Sequence, residues 1–331
     1  MVRTGAPAGH RGYFHEALLY QSDEEFLAAA LPFLQDGVAA GEPVVVALGD
    51  RSAALVQAAL GDTAGVAMYG AGAGGRYANP ADALSFYREI FTQHVGAGVG
   101  QVRVLGETPH PGLGQPWEWW ARYEATANHA FAEFPVWGLC PYDLRRTSDA
   151  VLEDVTRSHP YLTGAAGAHR GNPRYRDPAQ FLTGRAPAVL DPLLAHPARV
   201  ELIDPTPAVA RAAVRDTAAA TALPQVRVED MVLAVNEAVT NATCHGRRPA
   251  RLRIWAALER LVATITDRGP GPTDPYAGLL PTPTTAGGRG LWMMHSLCSH
   301  VTFHRDEQGF TLGLVAGRPV LEGGGHAHQR Q

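Results

Sequence analysis

The stretch VNEAVTNATCHG, residues 235–246, sets Glu237, Asn241 and His245 at four-residue steps inside a run that is otherwise largely apolar. If Val228 to Thr243 forms a helix, that step stacks the three side chains on one stripe, about a turn apart. The neighbouring MVLAV and AV are residues of a buried helix. A lone carboxylate among them costs several kcal/mol unless it is paired, neutralised or faces a wet cleft. A polar face turned to solvent would account for this stripe as well as a site would.

Two further clusters lie downstream. The strand-like LVATITD runs into DRGPG, residues 267–271, which puts Asp267 at the mouth of a strand and glycines beside it. A carboxylate there can accept a hydrogen bond from an exocyclic amine such as that of adenine, while Gly269 and Gly271 leave room for a flat ring. Next comes GGRGLWMMHSL, residues 287–297, a Gly-rich loop entering an amphipathic helix, whose backbone N–H groups suit phosphate oxygens. Between them PTDPYAGLLPTPTTA, with four prolines, cannot be regular structure and would serve as a mobile lid. Each cluster alone is a common turn. Their order and spacing after the Glu/Asn helix make them strong together.

The elements that must position these residues form two patterns. In the first half, HEALLY, PVVVALG, GVAMYG, QVRVLGE and VWGLCPYD alternate with helical segments. That rhythm predicts an α/β domain with a mostly parallel sheet covered by helices. Ser22 followed by Glu25 looks like a capping box at the first helix. Ligands of such a sheet gather at the carboxyl ends of its strands, which selects Gln21, Gly49, Tyr69, Glu107 and Tyr142 as lining candidates. GAGAGGRY, residues 70–77, lacks the Lys and Ser/Thr of a P-loop and reads as a flexible loop. From Gly164 to Ala188 the pattern dissolves into Gly, Pro and Arg, where the domain boundary is placed. Beyond it, the helix TPAVARAAVRDTAAAT, the Glu237 helix and the strands ARVELID, RLRIWAAL, LVATITDRG and FTLGLVAG predict an α+β sandwich.

Composition narrows the classes. A chain of 331 residues, 46% hydrophobic and 18% charged, suits two folded domains. Its net charge of −4 offers no electrostatic footprint for nucleic acid or an anionic membrane. No apolar run approaches the roughly 20 residues of a membrane span and no secretory signal is visible, so a cytoplasmic location is expected. Cys140, Cys244 and Cys298 are far apart and without CxxC spacing, which suggests reduced packing residues and neither a disulfide framework nor a zinc site. The tail after 318, with HAH at 326–328, reads as disordered.

On NEAVTNA…HG, DxGxG and the second glycine motif, the C-terminal half resembles a GHKL-type ATPase domain, specifically the anti-sigma-factor serine kinases of the RsbW and SpoIIAB kind. The resemblance implies ATP and Mg2+ as cofactors, Glu237 as catalytic base and Asn241 as the magnesium ligand. It further implies Asp267 as the adenine acceptor with Gly269 and Gly271 beside it, Gly288, Gly290 and Leu291 as the second nucleotide motif, and Thr311 at the adenine. The N-terminal half, on FHEALLYQSDEEFLAAALPFLQDGVAAGEPVVVAL, CPYD at 140–143 and HP at 159–160, resembles the MEDS sensory domain. That implies a RecA-like sheet without ATPase motifs and a role in sensing a small molecule or binding a partner. The pairing is similar to RsbA-family anti-sigma regulators. The expected layout is a MEDS-like domain over 10–165, a linker over 166–190, the GHKL domain over 191–318 and a tail over 319–331.

The activity so implied is phosphoryl transfer from ATP to a serine or threonine of a STAS-domain anti-anti-sigma protein, controlling a sigma factor. Homodimer formation is compatible with it, and no direct contact with nucleic acid is expected. His245 reads as a helix-end residue with Gly246 as the C-cap, and Arg268 and Arg289 as surface residues. Two other readings keep the same nucleotide motifs: a noncatalytic ATP-binding switch that sequesters a sigma factor, and an atypical sensor histidine kinase. Retention of Glu237 favours the kinase over the switch. The missing dimerisation helix pair with a phosphoacceptor His disfavours the histidine kinase.

Overall fold

Strand β1 (Phe14–Tyr20) is buried along nearly its whole length, as a strand must be when helices cover both faces of its sheet. The computed structural model describes residues 11–61, 65–70, 79–111, 117–164, 169–184, 191–280, 288–307 and 309–317. Residues 71–78, the second part of the lid segment (281–286 of 272–286) and the tail from 318 lie outside the described residues; residues 272–280 are described and form no helix or strand. The chain divides into two units, the first holding residues up to 182 apart from 78–82, the second the rest.

In the first unit β1 is followed by α1 (Asp23–Ala39), β2 (Val44–Leu48), α2 (Asp50–Leu60), β3 (Val66–Gly70), α3 (Pro80–Gly96), β4 (Val102–Gly106), α4 (Trp117–Ala130), β5 (Val136–Asp143) and α5 (Asp149–Ser158). The five strands pair in parallel, and the sheet order is β3-β2-β4-β5-β1-β6-β7. β6 (Tyr161–Thr163) runs parallel to β1, while β7 (Arg170–Gly171) closes that edge antiparallel to β6. The stretch read as a linker therefore carries β7 and a short helix α6 (Pro178–Thr183), whose Phe181 and Leu182 are buried. At the start of α1 the Ser22 hydroxyl accepts from the Glu25 N–H, and Glu25 reaches back to the N–H of Gln21, one residue before the cap.

The second unit begins with a 3-10 turn (Pro192–Ala195) and β8 (Val200–Ile203), then α7 (Pro207–Ala218), α8 (Gln225–Cys244), β9 (Arg251–Ala257), β10 (Arg260–Asp267), α9 (Gly288–Leu297), β11 (His300–Asp306) and β12 (Gly309–Gly317). Its five strands are antiparallel in the order β11-β12-β10-β9-β8. β11 was not expected from the sequence. The helices supply Ala210, Val214, Met231, Val235 and Met294 to a core whose other wall is Leu252, Ile254, Leu261, Ile265 and Leu314. On the other sheet face Trp255, Val262 and Val315 are buried against Leu193, Leu194 and Ala198, while β8, at the sheet edge, alternates half-buried and exposed residues. Among the described residues no helix is long and apolar enough to cross a membrane.

Leu314 is fully buried in β12, between two strands and beneath the helices. Leu314→Ala is expected to cost about 2–5 kcal/mol, read as a lower denaturant midpoint with an unchanged slope. A loss under 0.5 kcal/mol, taken as about the ordinary surface value, would show that this wall of the core relaxes freely.

Candidate functional site: a glycine-lined cleft at helix α8

Helix α8 presents Val235, Ala238, Val239 and Ala242 to the core, which leaves Glu237 and Asn241 half-buried at the side of the helix. The structure brings Gly290, in the first turn of α9, against these two. A Cβ built on Gly290 would lie 3.3 Å from Asn241 Nδ2 and 3.4 Å from Glu237 Oε2. The start of α9 thus approaches the polar side of α8 at a distance that a larger residue would widen. Among the described residues Glu237 has one weak internal bond, from Asn236 Nδ2 to Oε1 at 3.4 Å. Leu291, next to Gly290, packs on the core and anchors that end of α9. Gly288 opens the helix.

Asp267 closes β10 and is 6% exposed. Its Oδ1 accepts from the backbone N–H of Gly269 at 2.6 Å and of Arg247 at 3.0 Å. Its Oδ2 has no hydrogen-bond partner among the described residues, so one oxygen builds the turn and the other is available. The segment after α8 reaches Asp267 through Gly246, where a Cβ would fall 2.6 Å from Asp267 Oδ1 and 2.5 Å from the Ala242 carbonyl oxygen. Gly246 was expected as a helix cap. The cap is His245 instead, whose N–H bonds to Asn241 O at 2.8 Å, and Gly246 serves close approach, since its φ is not in the left-handed region. Gly271 does have a positive φ, +66°, and sits against the ring of Phe310. Thr311, paired with Thr266 across β10 and β12, shares a hydroxyl hydrogen bond with it at 2.9 Å. Arg268 and Arg289 are exposed, as is His245.

The lining candidates of the first unit fare differently. Glu107 accepts from the Gly49 N–H at 2.8 Å and the Ser52 hydroxyl at 3.0 Å, which makes it a cap for α2. Tyr69 packs edge-on against Phe86, and Gln21 is exposed. Tyr142 is fully buried and faces inward, where its hydroxyl donates to Glu124 Oε1 at 2.7 Å. Around Glu124 the structure collects His15, Cys140 and His159, all buried, a group that sequence spacing did not reveal. Burial opposes ionisation of Glu124, yet His159, His15 and Thr108 outweigh it and hold the carboxyl down at about 2. Burial and the neighbouring His15 push His159 down to about 3.

Comparison with known proteins agrees with this division. Residues 14–160 match the family model of the MEthanogen/methylotroph, DcmR Sensory domain, MEDS. Residues 203–315 match that of the histidine kinase-like ATPase domain. A KaiC-like protein from the hyperthermophilic archaeon Pyrococcus horikoshii is similar at 12% identity, over 45% of this chain and 69% of that one, with a TM-score of 0.30. No curated protein matches the chain. Residues 14–160 are thus a MEDS-like sensory domain and residues 203–315 a GHKL-family ATPase domain, an arrangement consistent with a regulatory ATP-binding signalling protein.

Two predictions follow from the contacts. Gly246→Ala should cost about 1–3 kcal/mol, because the added methyl meets a backbone carbonyl and the Asp267 carboxylate. Gly96→Ala, with nothing within 4 Å of its Cβ, should stay within about 0.5 kcal/mol of the parent in the same denaturation experiment; equal losses would contradict the clearance role of Gly246. The cysteines were expected to be packing residues, but Cys244 is exposed while Cys140 and Cys298 are buried. Burial pushes the Cys298 thiol up to about 12. The native chain should therefore alkylate at Cys244 alone at pH 8, and labelling of Cys298 before unfolding, seen by peptide mass, would show that the second core opens.

Proposed function

We propose that the C-terminal domain is an ATP-dependent serine/threonine kinase of the anti-sigma type. Its substrate is a hydroxyl on a STAS-domain anti-anti-sigma protein, it thereby controls a sigma factor, and the N-terminal sensory domain modulates it. The observation that carries this reading is the meeting of Glu237 and Asn241 with Gly290: a proton acceptor and a neutral oxygen ligand adjoin a glycine in the first turn of a helix. Backbone N–H groups of such a turn favour phosphate oxygens. The free Oδ2 of Asp267, beside glycines that offer no side chain, suits an adenine amine.

The residues fit ATP and magnesium. Asn241 is the group that would hold the ion, and magnesium when bound neutralises phosphate charge. Glu237 accepts the proton of the attacking hydroxyl as its oxygen bonds to the γ-phosphorus and ADP leaves. Gly290 admits phosphate close to both side chains. Asp267 keeps its two backbone bonds on Oδ1 throughout, so binding adenine requires no rearrangement of the turn.

Substitutions should fail in distinct ways. Glu237→Ala should keep ATP affinity and lose transfer to the STAS partner. Asp267→Asn retains an oxygen for Arg247 and Gly269 but presents an NH2 donor where an acceptor is needed, and should weaken ATP binding by about 1–3 kcal/mol. Asn241→Ala should weaken magnesium-dependent binding and turnover together. ATP titration and single-turnover transfer with labelled ATP measure all three. Parent-rate transfer by Glu237→Ala removes it as the base, and tight ATP binding by the parent with no transfer to any STAS partner favours the sequestering switch.

A further inference from the structure

The buried group around Glu124 has no part in nucleotide chemistry. His15 lies in β1 and Cys140 in β5, strands paired in parallel with His15 opposite Gly138, so that Cys140, two residues on, shares its face. Glu124 comes from α4, and His159 caps the end of α5. His15 Nε2 is 3.3 Å from Cys140 Sγ and 3.3 Å from Glu124 Oε2, and His159 Nε2 is 3.4 Å from the same oxygen. One ligand atom from each of the four residues lies within 4.8 Å of the others. All are 8% exposed or less.

The hydrogen bonds fix which way the imidazoles present their lone pairs. The Asn128 amide nitrogen donates to the carbonyls of Glu124 and Ser158, so its oxygen faces His15 Nδ1 at 3.1 Å and must accept from it. His159 Nδ1 likewise faces the Val155 carbonyl at 2.9 Å. Each ring therefore has an acceptor at Nδ1 and turns Nε2 inward, that of His15 towards the Cys140 thiol and Glu124 Oε2, that of His159 towards the same carboxylate oxygen. Glu124 Oε2 and His159 Nε2 have no hydrogen-bond partner, although both are fully buried. Glu124 Oε1 is already taken by the hydroxyls of Thr108 and Tyr142. The Cys140 thiol can donate to His15 Nε2, but Glu124 Oε2 and His159 Nε2 meet without a donor, which leaves a desolvation cost uncompensated; a cation between them would offset it.

We propose that His15 Nε2, His159 Nε2, Cys140 Sγ and Glu124 Oε2 are the ligands of a divalent transition-metal ion of the zinc class, held at the centre of the N-terminal sheet. A tetrahedron with zinc-like bond lengths sets its ligand atoms about 3.3–3.6 Å apart, which matches three of the six separations; the other three lie within 4.8 Å and would close to that spacing around the ion. A carboxylate and a thiolate balance a divalent charge, the thiol proton leaving as the metal enters. The Nδ1–H bonds to Asn128 and Val155 are the outer support that metal-bound imidazoles ordinarily have. Four buried protein ligands make the site a closed one, which ties β1, β5, α4 and α5 together and is filled as the chain folds.

The test uses the full chain, unfolded under reducing conditions and refolded with Zn2+ or Co2+. About one equivalent of zinc should remain after gel filtration with EDTA, and the cobalt form should show intense tetrahedral d–d bands with a thiolate-to-cobalt band in the near ultraviolet. C140S should abolish the thiolate band, and H159Q should lower metal affinity at least about tenfold, each with its folded state checked by circular dichroism. The parent chain alone is decisive if variants fail to fold: a folded parent that retains no metal, or gives only weak octahedral cobalt bands, overturns the proposal. So does zinc whose retention and spectrum survive both substitutions, which would place it elsewhere, as on the histidines of the tail.

Discussion

One carboxylate oxygen, Oδ1 of Asp267, holds the nucleotide half in register. It accepts backbone N–H groups from the segment after α8 and from the turn after β10, and so ties the long helix to the end of a sheet strand. The tie is short because Gly246 has no side chain to push the segments apart. Buried N–H groups without partners cost about 1–3 kcal/mol each, so these two bonds remove a penalty as well as fix a geometry. With Asp267 fixed against the end of α8, Glu237 and Asn241 follow from helical periodicity, and Gly290 lets α9 come to meet them.

The N-terminal half is also organised around a carboxylate, with the opposite problem. Asp267 reaches donors with one oxygen and leaves the other available, whereas Glu124 is enclosed, with two hydroxyls on one oxygen and two imidazole nitrogens beside the other. Because it draws on β1, β5, α4 and the end of α5, most of the sheet's central connections converge on it. A buried charge in that position is costly unless it is paired. Its presence there marks a constraint beyond packing, which apolar side chains would have met at less cost.

The sequence made legible those features whose signal is periodic. β1 to β5 and the helices between them could be read from runs of alternating type, and α8 from the four-residue stripe. β11 was missed for a physical reason: as an edge strand it is half-buried or exposed throughout, and Val301 and Phe303, which pack on the core, are only two alternating apolar residues in HVTFHRD, too few to set a period. β7 and α6 are too short to set a period. Gly246 was visible as a glycine, but a neighbour 2.6 Å from its missing Cβ is a tertiary fact. The metal-type cluster escaped because its members are remote in sequence, His15 and Cys140 being 125 residues apart; only parallel pairing of β1 with β5 puts them on one face.

The two acidic residues of the ATPase half differ as evidence of function. Asp267 has structural work, two backbone hydrogen bonds in a buried turn, and would be retained for stability even in a domain that bound nothing. Glu237 has no comparable work. Its one bond among the described residues, at 3.4 Å, is longer than the usual 2.7–3.2 Å range, about the limit of what contributes to stability. It is half-buried, so it loses part of its hydration without gaining a cationic partner among the described residues. An alanine there would pack at least as well against Gly290 and favour the helix. A residue that folding does not need, placed beside a helix start suited to phosphate, is better accounted for by chemistry than by architecture, and this asymmetry favours the kinase reading over a switch that only binds.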